Sequence, residues 1–330
     1  MKRLLVVSFA ALLAVSPLSA QRTEPPATPP QQRPAPPSDA PRFTAEISLV
    51  NVSFSVHDRN GALLANLGKD DFRLHEDGVL QQPKFFSHEQ DSGLTLGLTV
   101  DCSNSQRGLE EENLGVALAF LRRVLRPAQD RVFVAGFARH VLLVCPPTAS
   151  FDRLEEALGR LRDRTFQNAV MGSALSGPSG NSAVFDGIYW PARKVFEGLA
   201  GRKALIMIGD GRENVSGVSL YDTIELLQSG DVIFYGLDNG GTSDLNHPNL
   251  MPRIATETGG REFKVESGTG RRAQSNLQQA FDEIERELRA MYSIAYVSTN
   301  PARNGKFRRI EVRAVNAAHK TRARPGYYAR

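Results

Sequence analysis

The apolar run Leu94-Thr-Leu-Gly-Leu-Thr-Val-Asp101 passes without a turn residue into Cys102-Ser103-Asn104-Ser105. Leu94, Leu96, Leu98 and Val100 can fill one face of a strand, while Thr95, Gly97 and Thr99 leave space for helices to approach the other closely. A strand covered on both faces belongs inside a parallel sheet, built from alternating strands and helices. Two further apolar runs end as this one does, Ala204-Leu-Ile-Met-Ile-Gly-Asp210-Gly211 and Asp231-Val-Ile-Phe-Tyr-Gly-Leu-Asp238. In open parallel sheets, ligands bind outside the carboxyl ends of the strands, where the strand order reverses. Asp101, Asp210 and Asp238 are therefore candidate site residues; the alternative for each is a cap on the helix or turn that follows.

The loop chemistry is that of a hard cation. Mg²⁺ takes near-octahedral oxygen ligation at about 2.0 to 2.1 Å, keeps some waters and uses one or two carboxylates. One carboxylate and two hydroxyls at alternate positions, Asp101, Ser103 and Ser105, can turn toward a single point. Cys102 beside them is a soft thiol, a poor Mg²⁺ ligand, and reads as filler. The histidines (His57, His75, His88, His140, His247, His319) are scattered without ligand spacing, which argues against a zinc site. A Ser103 or Ser105 nucleophile would need a histidine base and an orienting acid, and nothing in the sequence locates them. Ser267-Gly-Thr-Gly270 lacks the Lys-Ser/Thr of a phosphate loop. Asn51-Val-Ser53 and Asn214-Val-Ser216 match the glycosylation tripeptide, a pattern common by chance, and imply nothing here.

Residues 1–20 read as a signal peptide: Lys2 and Arg3, an apolar run from Leu4 to Val15, then Pro17-Leu-Ser-Ala20. Cleavage after about Ala20 would deliver a secreted or periplasmic chain with no transmembrane segment. Losing Lys2 and Arg3 takes the formal charge from +4 to +2, which together with export argues against a nucleic-acid partner. Residues 21–42, rich in Pro, Gln and Ala, form an extended linker. From residue 43 to 92, the alternation of Val50, Val52, Phe54 and Val56 and the turn pairs Asn60-Gly61 and Asp77-Gly78 predict antiparallel strands. Partner strands are expected at Tyr292–Ser298 and Phe307–Val315, so residues 43–92 and 291–330 form two halves of one small β module. The α/β domain, residues 93–290, is inserted between them.

Within that domain helical patterns cover 109–125, 151–161, 182–199, 219–228, 252–258 and 273–290, with a hairpin turning at Ala138-Arg139-His140 to add one antiparallel edge strand. Residues 164–181 read as a loop before Ser182. Cys102 and Cys145 fall at opposite ends of the sheet, too far apart for a disulfide, and are expected to be free thiols. A basic run (Arg303, Lys306, Arg308, Arg309, Arg313, Lys320, Arg322, Arg324) marks the last residues. Ile310, Val312 and Ala314 alternate there with Arg309, Glu311 and Arg313, the pattern of a half-buried strand with a solvated face. Contact with an anionic envelope polymer is the other use for such charge.

Asp101, Ser103 and Ser105 resemble the Asp-x-Ser-x-Ser of the metal-ion-dependent adhesion site in von Willebrand factor type A (VWA) domains. Asp210 in Ile-Gly-Asp-Gly matches that site's later aspartate. Ser182, in Gly180-Asn-Ser182-Ala-Val-Phe-Asp186, stands where the family usually places a threonine. The hydroxyl is kept, but the β-branch that restricts χ1 is lost. Asn104 replaces a more usual glycine. Val50-Asn-Val52, Asp70-Asp-Phe72, Glu76-Asp-Gly78, Thr258-Gly-Gly260-Arg261 and Arg324-Pro-Gly-Tyr-Tyr-Ala329 look like the bacterial secreted "VWFA-related" proteins, from about residue 45 to the end.

The resemblance implies a doubly wound, mostly parallel, Rossmann-like sheet with Mg²⁺ or Mn²⁺ held by Asp101, Ser103, Ser105, Ser182 and Asp210. It also implies a protein partner that supplies a Glu or Asp carboxylate to the ion, with residues 164–181 and 239–249 setting specificity, and no enzymatic activity. Two alternatives stay open at this level: a scaffold of an envelope assembly with a merely stabilising cation, and a metal-assisted hydrolase, for which Asp238 is the only base the sequence offers.

Overall fold

Val50, Val52, Phe54 and Val56 take alternate positions along β1 (Leu49–His57), and all are buried. The structure, a computed structural model, describes residues 49–88, 92–103, 111–172, 182–240, 249–266 and 271–329. The expected signal peptide and Pro-rich linker lie outside the described residues. Short strands follow β1: β2 (Phe72–Glu76), β3 (Val79–Gln81) and β4 (Pro83–His88).

The α/β domain starts with β5 (Leu94–Asp101), then α1 (Glu111–Val124), β6 (Arg131–Phe137) and β7 (Val141–Thr148). After α2 (Phe151–Arg160), α3 (Arg164–Met171) and α4 (Val184–Phe196) come β8 (Arg202–Gly209), α5 (Leu220–Ser229) and β9 (Val232–Asp238). The domain ends with α6 (Met251–Thr258), β10 (Arg261–Lys264) and α7 (Arg271–Ala290). Its sheet has the order β10-β9-β8-β5-β6-β7, parallel throughout except for β7, which returns antiparallel along β6. From β5 the chain moves first to β6 on one side and then to β8 on the other. The order therefore reverses between β5 and β8, the place where the carboxyl ends of two adjacent strands leave a crevice.

The two faces of β5 feed two separate cores. Leu94, Leu96, Leu98 and Val100 pack with α1, α2 and α7, where Phe120 and Phe281 stack with ring centroids 4.4 Å apart. Phe133, Phe137, Leu205 and Met207 line the opposite face under α4, α5 and α6. On that face the space a side chain at Gly97 would need is taken by the Phe133 ring and Leu205 from neighbouring strands, not by a helix. Thr99 does meet a helix: its Oγ1 donates to the Gly187 carbonyl of α4 at 2.9 Å. That acceptor is free because Pro191, four residues on and inside the helix, has no N–H to give it. β5 thus ties itself to α4 two residues before Asp101.

The chain re-enters the antiparallel module with β11 (Tyr292–Val297), β12 (Phe307–Ala314), β13 (Lys320–Ala323) and β14 (Gly326–Tyr328). β11 lies between β1 and β4 in a sheet of order β13-β1-β11-β4, and β12 joins a second of order β14-β12-β2-β3. The α/β domain is thereby inserted in the module. Between the two sheets Phe54, Phe72 and Tyr292 pack ring on ring. Arg308 and Arg324, part of the basic run, are buried there instead of solvated. Arg308 pairs with Glu76 at 3.1 Å. Burial alone would raise the Glu76 carboxyl, but hydrogen bonds from Ser298, Tyr296 and Tyr327 and the Arg308 charge outweigh it and hold the group below its usual range. Asn51, in β1, donates to Asp231 at 2.5 Å and accepts from Ser293 at 2.6 Å, so this glycosylation-type tripeptide is a strand residue joining the module to the head of β9.

Two expectations need correction, and one strand was not foreseen. Residues 164–171 are a helix, not loop; Asp163 caps it by accepting from the Thr165 N–H, and Phe166 and Val170 bury one face. The edge strand β10 escaped notice because Arg-Glu-Phe-Lys carries no apolar run. Cys145 pairs with Val134 within β6 and β7 and does not sit at the sheet's far end; both cysteines are free and buried. Among the described residues no helix is long and apolar enough to cross a membrane.

Replacing Thr99 with valine should cost about 1–3 kcal/mol in denaturant unfolding, the penalty of leaving the buried Gly187 carbonyl unpaired. In a Pro191→Ala background, where an N–H is restored at position 191, the same substitution should cost measurably less.

Candidate metal centre

Asp101 is the last residue of β5 and is fully buried. The Cys102 N–H continues the ladder to the Phe137 carbonyl at 2.7 Å, and the Ser103 N–H folds back to Asp101 Oδ1 at 2.8 Å. That turn closes the strand and places the Ser103 side chain, 2% exposed, beside the carboxylate. Ser182, just ahead of α4, donates from Oγ to Asp101 Oδ2 at 3.2 Å. Gly209 ends β8 directly opposite: a side chain there would stand 2.8 Å from Asp101 Cβ. The missing Cβ lets the chain bring Asp210 alongside. Asp210 is also buried, and its Oδ1 accepts from the Arg212 N–H at 3.1 Å.

Two carboxylates and two hydroxyls from three separate segments thus converge at the switch point. Burial, reinforced by the nearby charge of Asp210, pushes the Asp101 carboxyl up to about 7, against the opposing hydrogen bonds from Ser103 and Ser182. Among the described residues neither Asp101 nor Asp210 has an ion-pair partner. A pair of buried, uncompensated carboxylates is costly, and the missing charge is positive. The donors are all hard oxygens, and among the described residues no three His, Cys, Asp or Glu side chains gather. This set fits a small divalent cation with few carboxylate ligands better than a soft or zinc-type site. Cys102 takes no part: burial pushes its thiol up to about 12.

The Asp210 loop and the Ser182 segment are clamped together. Asn214 Oδ1 accepts from the Ser182 N–H at 2.8 Å, while the Asn214 N–H donates to the Ser182 carbonyl at 3.3 Å. No side chain of its own segment caps α4. Glu213 does so from outside, with Oε2 accepting from the Phe185 N–H at 3.1 Å, and Ser216 Oγ accepts from the N–H groups of Phe185 and Asp186. Asp186 returns the contact by accepting from the N–H groups of Gly217 and Val218. A carboxylate at a helix N-terminus is favoured by the exposed N–H groups and the helix dipole.

The structure therefore brings Asp101, Ser103, Ser182 and Asp210 together, whereas Ser105 lies outside the described residues. Asp238 is near but differently employed: it accepts from the Gly240 N–H at 2.8 Å, from Asn249 Nδ2 at 2.9 Å and from Lys264 Nζ. A carboxylate accepting from three donors is already engaged as a hub of its loop. Its loop supports the site instead, since a side chain at Gly240 would stand 2.6 Å from Asp210 Cβ. Sequence reasoning missed Glu213, Asn214, Ser216 and Asn249. For the first three the usable signal was a cluster of polar acceptors straight after Gly211. Of the segments expected to set specificity, 173–181 and 241–248 lie outside the described residues.

No family model matches the chain, and no curated protein matches it. Similar solved structures include an aerotolerance-related membrane protein from Bacteroides fragilis, at 17% identity and TM-score 0.42, covering 59% of this chain and 98% of that one. Another, described as von Willebrand factor type A from Catenulispora acidiphila, has 12% identity and TM-score 0.44 over 87% and 74%. A third, proximal thread matrix protein 1 from the mussel byssus with a zinc-occupied MIDAS motif, has 18% identity and TM-score 0.45 over 65% and 50%. At these identities and TM-scores the similarities carry no argument about this chain. The six-stranded doubly wound sheet with one antiparallel edge strand is the α/β architecture that the resemblance in the sequence implied.

Two outcomes follow from this geometry. The Asp101 carboxyl is raised above its unfolded value near 4, so its cost is absent below that pH and grows as pH rises toward 7. In chelator, Asp101→Asn should therefore stabilise the protein by on the order of 2 to 4 kcal/mol at pH 8, and the gain should vanish near pH 4 in chemical denaturation. Glu213→Ala should weaken Mn²⁺ binding roughly 10- to 100-fold in calorimetry, the usual effect of removing an outer support, with circular dichroism unchanged.

Proposed function

We propose that this chain is an exported, non-enzymatic binding protein that recognises its partner through a divalent cation, Mg²⁺ or Mn²⁺. Asp101, Ser103, Ser182 and Asp210, together with Ser105, would hold the ion. The observation that carries the reading is the convergence of two buried, unpaired carboxylates with two serine hydroxyls at the sheet's switch point. Held there, the ion would supply a hard Lewis acid that takes oxygen donors. A Glu or Asp carboxylate of a protein partner would be the complementary group.

The chain's own residues do the positioning. Ser103 and Ser182 orient the Asp101 carboxylate from either side through their hydrogen bonds to its two oxygens. Asn214 and Glu213 keep the Ser182 segment from moving independently of Asp210. The occupied state of Asp238 favours binding over hydrolysis, because the residue with the best claim to activate a water is already a hydrogen-bond hub.

Affinity capture of envelope proteins with the immobilised chain should retain a partner in Mg²⁺ and release it in EDTA, and Asp101→Ala should fail to retain it. Retention undiminished under both conditions would refute a metal bridge. Lost thermal stability in Asp101→Ala with retention intact would make the cation a structural prop for a scaffold.

A further inference from the structure

A cleft of about 660 Å³ opens where the β module meets the α/β domain, within the size range of small-molecule sites. One wall is the turn after β1 and the strand β13; the other is the start of β10 and the C-terminal half of α7. Its acids are already engaged. The buried Glu287 takes Arg322 and lies 3.7 Å from Arg261, and Glu283 takes Arg261. Asp58 Oδ1 accepts from the N–H groups of Asn60 and Ala62.

The cations are not balanced to the same degree. Arg59, Arg286 and Lys320 line the cleft, are exposed, and among the described residues have no ion-pair partner. Deeper in, the Nε atoms of Arg261 and Arg322 are buried and make no hydrogen bond. A buried donor left unpaired costs about 1–3 kcal/mol, so two together mark a place where acceptor oxygens are wanted. Guanidinium groups match carboxylate and phosphate oxygens in geometry as well as charge. Five cations (Arg59, Arg261, Arg286, Lys320, Arg322) against three acids (Asp58, Glu283, Glu287) leave the lining a surplus of two positive charges, which favours a guest with at least two anionic groups.

We propose that this cleft binds a small multivalent oxyanion, held by the buried N–H groups of Arg261 and Arg322 and by the exposed cations Arg59, Arg286 and Lys320. Because its walls come from both the inserted domain and its host module, the bound anion joins the two and stabilises the whole chain by mass action.

The test is calorimetry of the full chain, freed of divalent cations on a chelating resin and kept in EDTA-free buffer so that neither the cation site nor a competing polycarboxylate plays a part, with pyrophosphate and, in parallel, citrate at constant ionic strength. The expected result is saturable binding of about one ion per chain and a raised melting temperature. Binding of pyrophosphate alone would define a phosphate-type guest; binding of citrate alone would define a polycarboxylate. Arg286→Glu with Lys320→Glu should lower the affinity at least about tenfold, equivalent to about 1.4 kcal/mol. Lys306→Glu, an equal charge change per site in the same C-terminal segment but outside the cleft, should leave it within about twofold. No saturable uptake of either anion, or a loss in Lys306→Glu as large as in the cleft variant, would overturn the proposal.

Discussion

The buried carboxylate of Asp101 is the constraint around which this molecule is organised. A charge placed in the interior with no basic neighbour must be removed by a proton, hydrogen-bonded or matched by a bound cation. Here the carboxylate accepts hydrogen bonds from the Ser103 backbone and side chain and from the Ser182 hydroxyl, and a second carboxylate is brought close enough to repel it. Elsewhere the chain supplies the counter-charge itself, as it does for Glu76 with Arg308. The contrast within one chain separates a carboxylate that the fold neutralises from a pair that it leaves for something else to neutralise.

Support for that arrangement comes from both sides of the switch point. Glycine at 209 and 240 allows close approach to Asp101 and Asp210, where any side chain would collide. Thr99 anchors α4 to β5 by meeting the carbonyl that Pro191 leaves free, and Glu213, Ser216 and Asp186 lash the start of the same helix to the Asp210 loop. Both links restrain the helix start from which Ser182 reaches Asp101. The loss of a β-branch at this position relative to threonine is thus offset by restraint on the backbone that carries it.

Much of this was legible in the sequence. Strands ending in Asp101 and Asp210 announced themselves by unbroken apolar runs, and the alternation in β1 and β12 located the host module. Ser182 was visible only through the family resemblance, since nothing in its neighbours marks it as special. What stayed hidden depends on contacts between distant segments. Glu213 and Asn214 look like ordinary loop residues until they are seen capping a helix some thirty positions earlier, and Asn214 was set aside as part of a chance tripeptide. Arg308 and Arg324 passed for solvated charge because their acceptors, Glu76 and the Asn51 and Gln228 carbonyls, lie far away in the chain. The helix at 164–171 was masked by the Gly- and Ser-rich stretch after it, although Phe166 and Val170 at helical spacing carried the signal.

The central claim is that the described oxygens form a cation site. Titration of chelator-stripped protein with Mn²⁺, followed by electron paramagnetic resonance, tests it most directly. The account predicts about one tightly held ion per chain, displaced by Mg²⁺ and absent in Asp101→Ala. Free Mn²⁺ signal at every point of the titration, or full uptake by Asp101→Ala, would contradict it.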